Sequence, residues 1–389
     1  MKKIIPFFFI FFFYNSKAND FIKVRILSNL KLKSFFFSPD KGSSYSIFGN
    51  GKIIYTLHDS ETVQLKYEKD SSEVWIYGKR LGYFSLVKIN SNASINTFRI
   101  KCTDPERKTK YYQDNLIIAR EINSSSFKLI NVVDLEGYIA GVVEAEAGRK
   151  SHSEFYKAQA ILARTYALSI IGKHVIEGHD LCDQVHCQAF FGRTFNTPIQ
   201  NAVKNTKGIV VVDEDMNLID AVFHSNSGGQ TANAEDVWGK PKVYLKSVND
   251  SFSINMPNYS WERKMATEDW LTYLKIKHNF PIEDSVARII ALNFSQENRK
   301  NYIEHQSIKV PLKNIRNDLS LKSTFFSITA DNDTIIFRGK GYGHGIGMCQ
   351  EGAMKMAEKG YSYVDVIHFY YKGVRLIERT QLAFFREEG

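Results

Sequence analysis

The sequence predicts an α+β fold, in which a β-rich N-terminal unit precedes a larger unit of mixed helices and strands with a cleft. Two patterns predict it. As far as about residue 126, apolar residues alternate in short runs separated by turn residues, the period-two signature of half-buried strands. Beyond Asp134 they recur at i, i+3, i+4 and i+7, the spacing of amphipathic helices, with short β-branched runs between them. At 389 residues the chain is long enough for two or three compact units, and its 43% hydrophobic and 24% charged content is that of a globular protein.

Residues 1–18, MKKIIPFFFIFFFYNSKA, join two lysines, an apolar run and small residues at Ser16 and Ala18, the layout of a cleaved secretory signal. The run falls short of the ~20 apolar residues of a membrane span. An exported protein, on the periplasmic or wall side of the membrane, is therefore expected, with an uncleaved anchor as the alternative. Loss of Lys2, Lys3 and Lys17 takes the formal charge from +9 to +6. That basicity suits an anionic polymer such as a cell wall, and suits an ordinary solvated surface equally well. Residues 19–126 form the β-rich region. Residues 21–27 alternate, Gly49-Asn50-Gly51 marks a hairpin into residues 52–56, and residues 73–77 and 82–89 continue in the same style.

Around residues 130–134 the character changes to helix. Asp134 can cap it, and Leu135, Tyr138, Ile139, Val142 and Val143 form its apolar stripe. A capping-box pattern, Ser151-His-Ser-Glu154, opens a second helix with Phe155, Ala158, Leu162, Tyr166 and Ile170 on one face. Residues 208–212 read as a buried strand and 221–224 as the end of another. The polar stretch near 250–322 reads as an inserted lobe with one helix, over 267–277. A strand at 335–337 leads into a glycine-rich loop, a helix over 350–358 and a last helix over 364–371, stopped at Gly373.

Four stretches carry side chains with chemistry. In GYIAGVVEAEAG, residues 137–148, two glutamates lie two apart, so a continuing helix points them ~200° away from each other. Glu146 extends the stripe of Val142 and Val143 and should point inward; Glu144 should face solvent. A partly desolvated carboxyl holds its proton to higher pH, as a general acid requires. The competing expectation is a frayed last turn with both carboxylates solvated. Between His174 and Gln188, two thiols and three imidazoles have the density of a zinc site, and a Cys182–Cys187 disulfide in an exported protein is an equal alternative. HSNSGGQT, residues 224–231, lacks a nucleophile elbow, and reads as a polar turn or as a lining for sugars. GKGYGHGIG, residues 339–347, has glycine at alternate positions, which permits close backbone approach and leaves His344 as its reactive-looking side chain; it is not a dinucleotide fingerprint.

Taken in order, YIAGVVEAEAG, EFYKAQAILARTYAL, DLCDQVHCQAFFG, AVFHSNSGGQT and GYGHGIGMCQEGAMKMAEKGYSYVDVIHFYYKGV resemble the stage II sporulation protein D family over roughly residues 131–374. The resemblance implies a catalytic domain over 127–378, with its diverged lobe near 250–322, a tail over 379–389, and peptidoglycan lytic transglycosylase activity on peptide-stripped glycan. Glu146 holds the family's catalytic acid position, followed here by Ala147-Gly148 where relatives have Met-Pro. By the same resemblance Arg164, Gln188, His224, Ser225, Ser227, His344 and Gln350 bind sugars or hold Glu146. Cys182 and Cys187, with His174 or His179, hold a structural zinc. The implied partners are glycan strands and a cell-wall amidase, with no nucleic acid and no nucleotide cofactor. A wall-binding module that stimulates an amidase is the alternative function.

Overall fold

The computed structural model describes residues 21–93 and 96–382; the signal sequence expected at 1–18 lies outside them. The chain divides into two compact units. The first holds the described residues to Ile26, Leu30–Thr109 and Gln113–Leu135; the second holds Leu27–Asn29, Lys110–Tyr112 and the chain from Glu136 onward. Helices and strands are both abundant, as the α+β expectation requires. Among the described residues no helix is long and apolar enough to cross a membrane.

The first unit is built from β1 (Phe21–Ile26), β2 (Ser34–Pro39), β3 (Tyr45–Gly49), β4 (Lys52–Leu57), β5 (Val63–Glu68), β6 (Ser71–Ile76), β7 (Lys79–Phe84), β8 (Leu86–Ser91), β9 (Thr97–Asp104), β11 (Asn115–Arg120) and β12 (Phe127–Asp134), while β10 (Lys110–Gln113) belongs as far as Tyr112 to the second. One of its antiparallel sheets runs β1-β12-β11-β8-β3-β4 and the other β9-β2-β5-β6-β7. Alternation sends Phe35, Phe37, Leu65, Val74 and Ile76 of the second sheet inward, all buried. There Phe37 meets Tyr45 of the first sheet edge-on, ring centroids 5.2 Å apart. The β3–β4 hairpin turns at Asn50 and Gly51, both at positive φ. Residues 130–133, expected at the onset of helix, belong to β12, because their β-branched run pairs with β11 on one side and β1 on the other.

In the second unit the first helix is α1 (Leu135–Ala147) and the second α2 (Ser153–Ser169). α2 is capped by His152, whose side chain accepts the Glu154 N–H, and not by the expected Ser151. Residues from Phe155 to Leu162 are buried on nearly every side, apart from Lys157. The alanines at 158, 160, 163 and 167 let the Thr197–Asn205, Gln350–Glu358 and Tyr363–Tyr370 helices and the Ile209–Val212 strand pack closely on α2. The lobe that reads as polar in sequence, with one expected helix, has its own core: Trp270, Leu274, Ile315 and Phe337 are fully buried among three helices, Thr267–His278, Ser285–Leu292 and Leu312–Asp318, and a four-stranded sheet. Apart from Trp270, Leu271 and Leu274 on one helix, its buried residues come one or two from each element, so few windows are conspicuous. The Arg375–Glu378 strand pairs with Ile209–Val212, and Leu382, in the stretch expected to be tail, is buried against Val210 and Val212.

Candidate active site

α1 persists through both glutamates. It stops at Gly148, whose φ of +72° is open to glycine and costly for other residues, and whose N–H reaches the Glu144 carbonyl at 3.1 Å. Val142 and Val143 are fully buried, and Glu146, on their side of the helix, is partly buried. Burial pushes its carboxyl above the ordinary range, while a hydrogen bond from the Ala189 N–H to Oε1, 3.0 Å, pulls the other way. Oε2 takes no hydrogen bond among the described residues. Glu144 does not simply face water: Arg149 folds back past the helix end onto its carboxylate, leaving that side chain 17% exposed.

The Ala189 N–H is delivered by the loop that follows the cysteines. Asp183 anchors the loop by accepting the Leu27 N–H at 2.6 Å and the Ser28 hydroxyl at 2.5 Å. Its exit lies directly on α1 at Gly141. A Cβ there would stand 2.3 Å from the Gly192 carbonyl oxygen and 2.5 Å from the Phe190 ring, so only glycine lets helix and loop touch. Gln350, at the start of its helix, donates from Nε2 to the Glu146 backbone carbonyl at 3.2 Å and to Gln159 Oε1 at 3.4 Å. Gln188, beside Ala189, accepts from the Tyr138 hydroxyl at 3.4 Å and keeps a buried, unpartnered Nε2.

The cysteine loop brings together His174, Cys182, His186 and Cys187, with donor atoms all within 4.8 Å of one another. Both thiols are free of disulfide. Cys187 Sγ lies 3.5 Å from His174 Nε2 and 3.9 Å from His186 Nδ1, and Cys182 Sγ lies 3.8 Å from His186 Nδ1. Zn–S and Zn–N bonds of ~2.3 and ~2.0 Å in a tetrahedron give ligand separations of about 3.3–3.8 Å, so this donor set fits zinc. Glu177 accepts from His174 Nδ1 at 2.8 Å, which turns the lone pair of Nε2 toward the thiols, the usual support for a metal-bound imidazole. His179, expected as a ligand, stacks on His174 and groups with it and Glu177, while His186 stands beside the two sulfurs. A short loop reversal, with the Cys187 N–H on the Gln184 carbonyl, leaves His186 exposed with its ring beside the two sulfurs. Sequence spacing alone does not choose between the two histidines.

The family model for the stage II sporulation protein matches residues 123–212, the span that contains α1, α2 and the cysteine loop. Stage II sporulation protein D of Bacillus amyloliquefaciens is 31% identical over 262 residues, covering 63% of this chain and 75% of that protein. The chain belongs to the stage II sporulation protein D family. The protein of the same name from Bacillus subtilis is 29% identical over the same length. An amidase enhancer of Bacillus subtilis is 28% identical over 290 residues, covering 61% of this chain and 40% of that relative.

In this family member the remaining expected site residues have structural partners. Arg164 is fully buried: Nε and Nη2 pair with the Glu136 carboxylate, at 2.9 and 2.5 Å, and Nη1 donates to the Ile209 carbonyl at 3.0 Å. Through these bonds Arg164 ties α1 to α2 and the Ile209–Val212 strand. Ser227 is likewise fully buried, with its hydroxyl on Asp250 and Ser253, both at 2.8 Å. His344 uses both ring nitrogens, one on the Phe223 carbonyl and one accepting the Ile346 N–H, each at 3.0 Å, and burial lowers it to about 4. It is a neutral staple for the glycine-rich loop. Gly347 sits at φ +68°, where a Cβ would stand 2.2 Å from the Val222 carbonyl oxygen. His224 donates from Nδ1 to the Ile346 carbonyl at 3.0 Å, while its Nε2 is buried and unpartnered; burial first, then the nearby His344 and Arg299, hold it well below its usual range. Ser225 is half-buried and its carbonyl accepts the Glu351 N–H at 3.0 Å, which places it one residue from Gln350.

Proposed function

We propose that this protein is a peptidoglycan lytic transglycosylase with Glu146 as its one acid/base. The observation that carries the reading is a partly buried carboxyl at a helix end, raised by desolvation, with one oxygen fixed by the Ala189 N–H and the other free for substrate. Protonated Glu146 gives its proton to the glycosidic oxygen between N-acetylmuramic acid and N-acetylglucosamine as the C–O bond breaks. The resulting carboxylate takes the proton of the muramyl 6-hydroxyl as that oxygen closes on C1. The product is the 1,6-anhydro sugar, and no water is consumed. A single carboxyl suffices, whereas ordinary hydrolysis needs a second to activate water. Glu235 and Asp236, the acids considered for that second role, are occupied by Lys246 and by Asn233 and Asn301.

Gln350 and the Ala189 N–H hold the acid in place. His174, Cys182, His186 and Cys187 would hold a zinc ion, whose part is to brace the loop that presents Ala189. The substrate we favour is glycan freed of stem peptides. Glu146→Gln, which keeps the shape and removes the proton, should lower release of anhydro-sugars about 10²–10⁴-fold, the usual contribution of a general acid. Mass spectrometry of products from intact and amidase-stripped peptidoglycan reads this directly. Wild-type rates in Glu146→Gln would refute the assignment. The similarity to an amidase enhancer favours one other reading, a wall-binding protein that stimulates an amidase; it requires that products appear only when an amidase is added.

A further inference from the structure

The excess positive charge of the chain is not evenly spread. Residues 21–135 hold 18 Lys and Arg against 11 Asp and Glu, while residues 136–389 hold 30 of each. The proposed acid therefore stands in an electrically balanced segment, and the basic character belongs to the β unit, nearly all of which precedes the span that the family model matches.

Within that unit, one sheet face gathers these charges onto aromatic rings. The registers of β9, β2, β5, β6 and β7 place Lys101 opposite Phe36, Phe36 opposite Gln64, Gln64 opposite Trp75 and Trp75 opposite Arg80. These residues share one row and one face, the opposite face from the buried Phe35, Phe37, Leu65, Val74 and Ile76. Five strands at ~4.8 Å make the row about 20 Å long, room for several sugar rings. Lys66 lies over the Trp75 ring at 5.3 Å, and Arg80 over the Trp75 and Tyr83 rings at 6.0 and 5.2 Å. Phe36, Gln64, Lys66, Trp75 and Lys101 are half-buried by their neighbours on the sheet, while Arg80 and Tyr83 are exposed.

We infer that this face is a second binding surface, for an acidic polysaccharide: the rings stack against the apolar faces of sugars while Lys66 meets a carboxylate directly and Arg80 and Lys101 exchange their contacts with Glu73, 3.5 Å, and Glu106, 2.9 Å, for carboxylates of the strand. The occupant is the glycan strand of peptidoglycan, whose muramyl units present a carboxylate wherever the stem peptide is absent. That choice among acidic polysaccharides rests on the proposed wall-directed function; the row itself does not. A nucleic acid would require phosphate contacts of the same cations and is the competing outcome of the test.

The experiment uses the mature full chain carrying Glu146→Gln, so that the polymer stays intact, and measures co-sedimentation with amidase-stripped peptidoglycan. Trp75→Ala combined with Arg80→Ala should weaken binding about tenfold, the scale of one stacking and one cation contact. Trp75→Tyr, which keeps a ring, should retain most of it, and Ile53→Ser, on an exposed position of β4 in the other sheet, should change nothing. Unchanged binding in the double variant overturns the inference. So does equal binding of the wild-type face to duplex DNA, with both lost together in moderate salt. In the Glu146 background, Trp75→Ala/Arg80→Ala should still release wild-type amounts of product from short soluble glycan. If wild type yields no anhydro product anywhere yet the double variant loses binding, the binding face stands and the catalytic reading falls.

Discussion

Replacing Arg164 by alanine separates a structural role from a substrate-binding one. The guanidinium is fully buried and makes three hydrogen bonds, two to a Glu136 carboxylate whose side chain is 16% exposed and one to the Ile209 carbonyl. Truncation leaves that carboxylate and that carbonyl without their partner. Breaking one side of a buried ion pair costs about 3–5 kcal/mol. The orphaned carbonyl adds on the order of 1 kcal/mol, and the two are not fully additive. At ~2–4 °C per kcal/mol for a unit of this size, the melting temperature should fall by about 10–15 °C. Urea unfolding of the full chain, followed by tryptophan fluorescence, measures the loss. Arg164→Met with Glu136→Leu should recover most of it, because no unpaired charge remains. Arg164→Ala unfolding within about 1 kcal/mol of wild type while losing glycan affinity would refute the reasoning and return Arg164 to the substrate.

Other outcomes follow from the same geometry. Because burial raises Glu146, the native state holds its proton more tightly than the unfolded chain, so this group's destabilising effect is absent below its ordinary pKa of 4.5 and complete above its raised value. Glu146→Gln should therefore melt higher than wild type at neutral pH and equally near about pH 3. His344 acts in the opposite sense: with its pKa lowered from 6.5 to about 4, it costs stability as pH falls through that interval, and His344→Gln should flatten the slope of unfolding free energy against pH there. Gly141→Ala should cost about 1–3 kcal/mol through overpacking against Gly192 and Phe190, and should lower activity beyond that because the loop carrying Ala189 must move; normal activity and stability would contradict the contact. A chelator should lower the melting temperature of wild type and leave Cys182→Ser unaffected, and metal analysis of the purified chain should give one zinc per molecule; loss of stability with reductant alone would instead indicate a disulfide.

Much of the fold is legible locally. The Gly49-Asn50-Gly51 hairpin, the Gln350–Glu358 helix and the buried strand at Ile209–Val212 follow from turn chemistry and apolar period, because each is decided by residues within a few positions of one another. The lobe is not legible in this way. Its core draws Trp270, Ile303, Ile315, Phe326 and Phe337 from separate elements, and only their packing reveals it. The span 130–133 misleads for a related reason: an apolar run before a helix looks like the helix until two flanking strands claim its backbone groups.

For the site, helical geometry alone distinguishes Glu146 from Glu144, since two residues of separation place them on different faces. Sequence by itself also determined that a thiol and imidazole cluster exists, and that glycines must admit close backbone contacts. It did not determine which side chains face substrate. Arg164, Ser227 and His344 carry reactive groups in a recurrent motif, yet tertiary partners consume their hydrogen bonds. The choice of His186 over His179 beside the sulfurs, the Ala189 N–H on the acid and the row from Lys101 to Arg80 are likewise products of chain segments distant in sequence. The physical reason is common to all of them: a side chain's type sets which bonds it can make, whereas burial and three-dimensional neighbours decide which of those bonds are already taken.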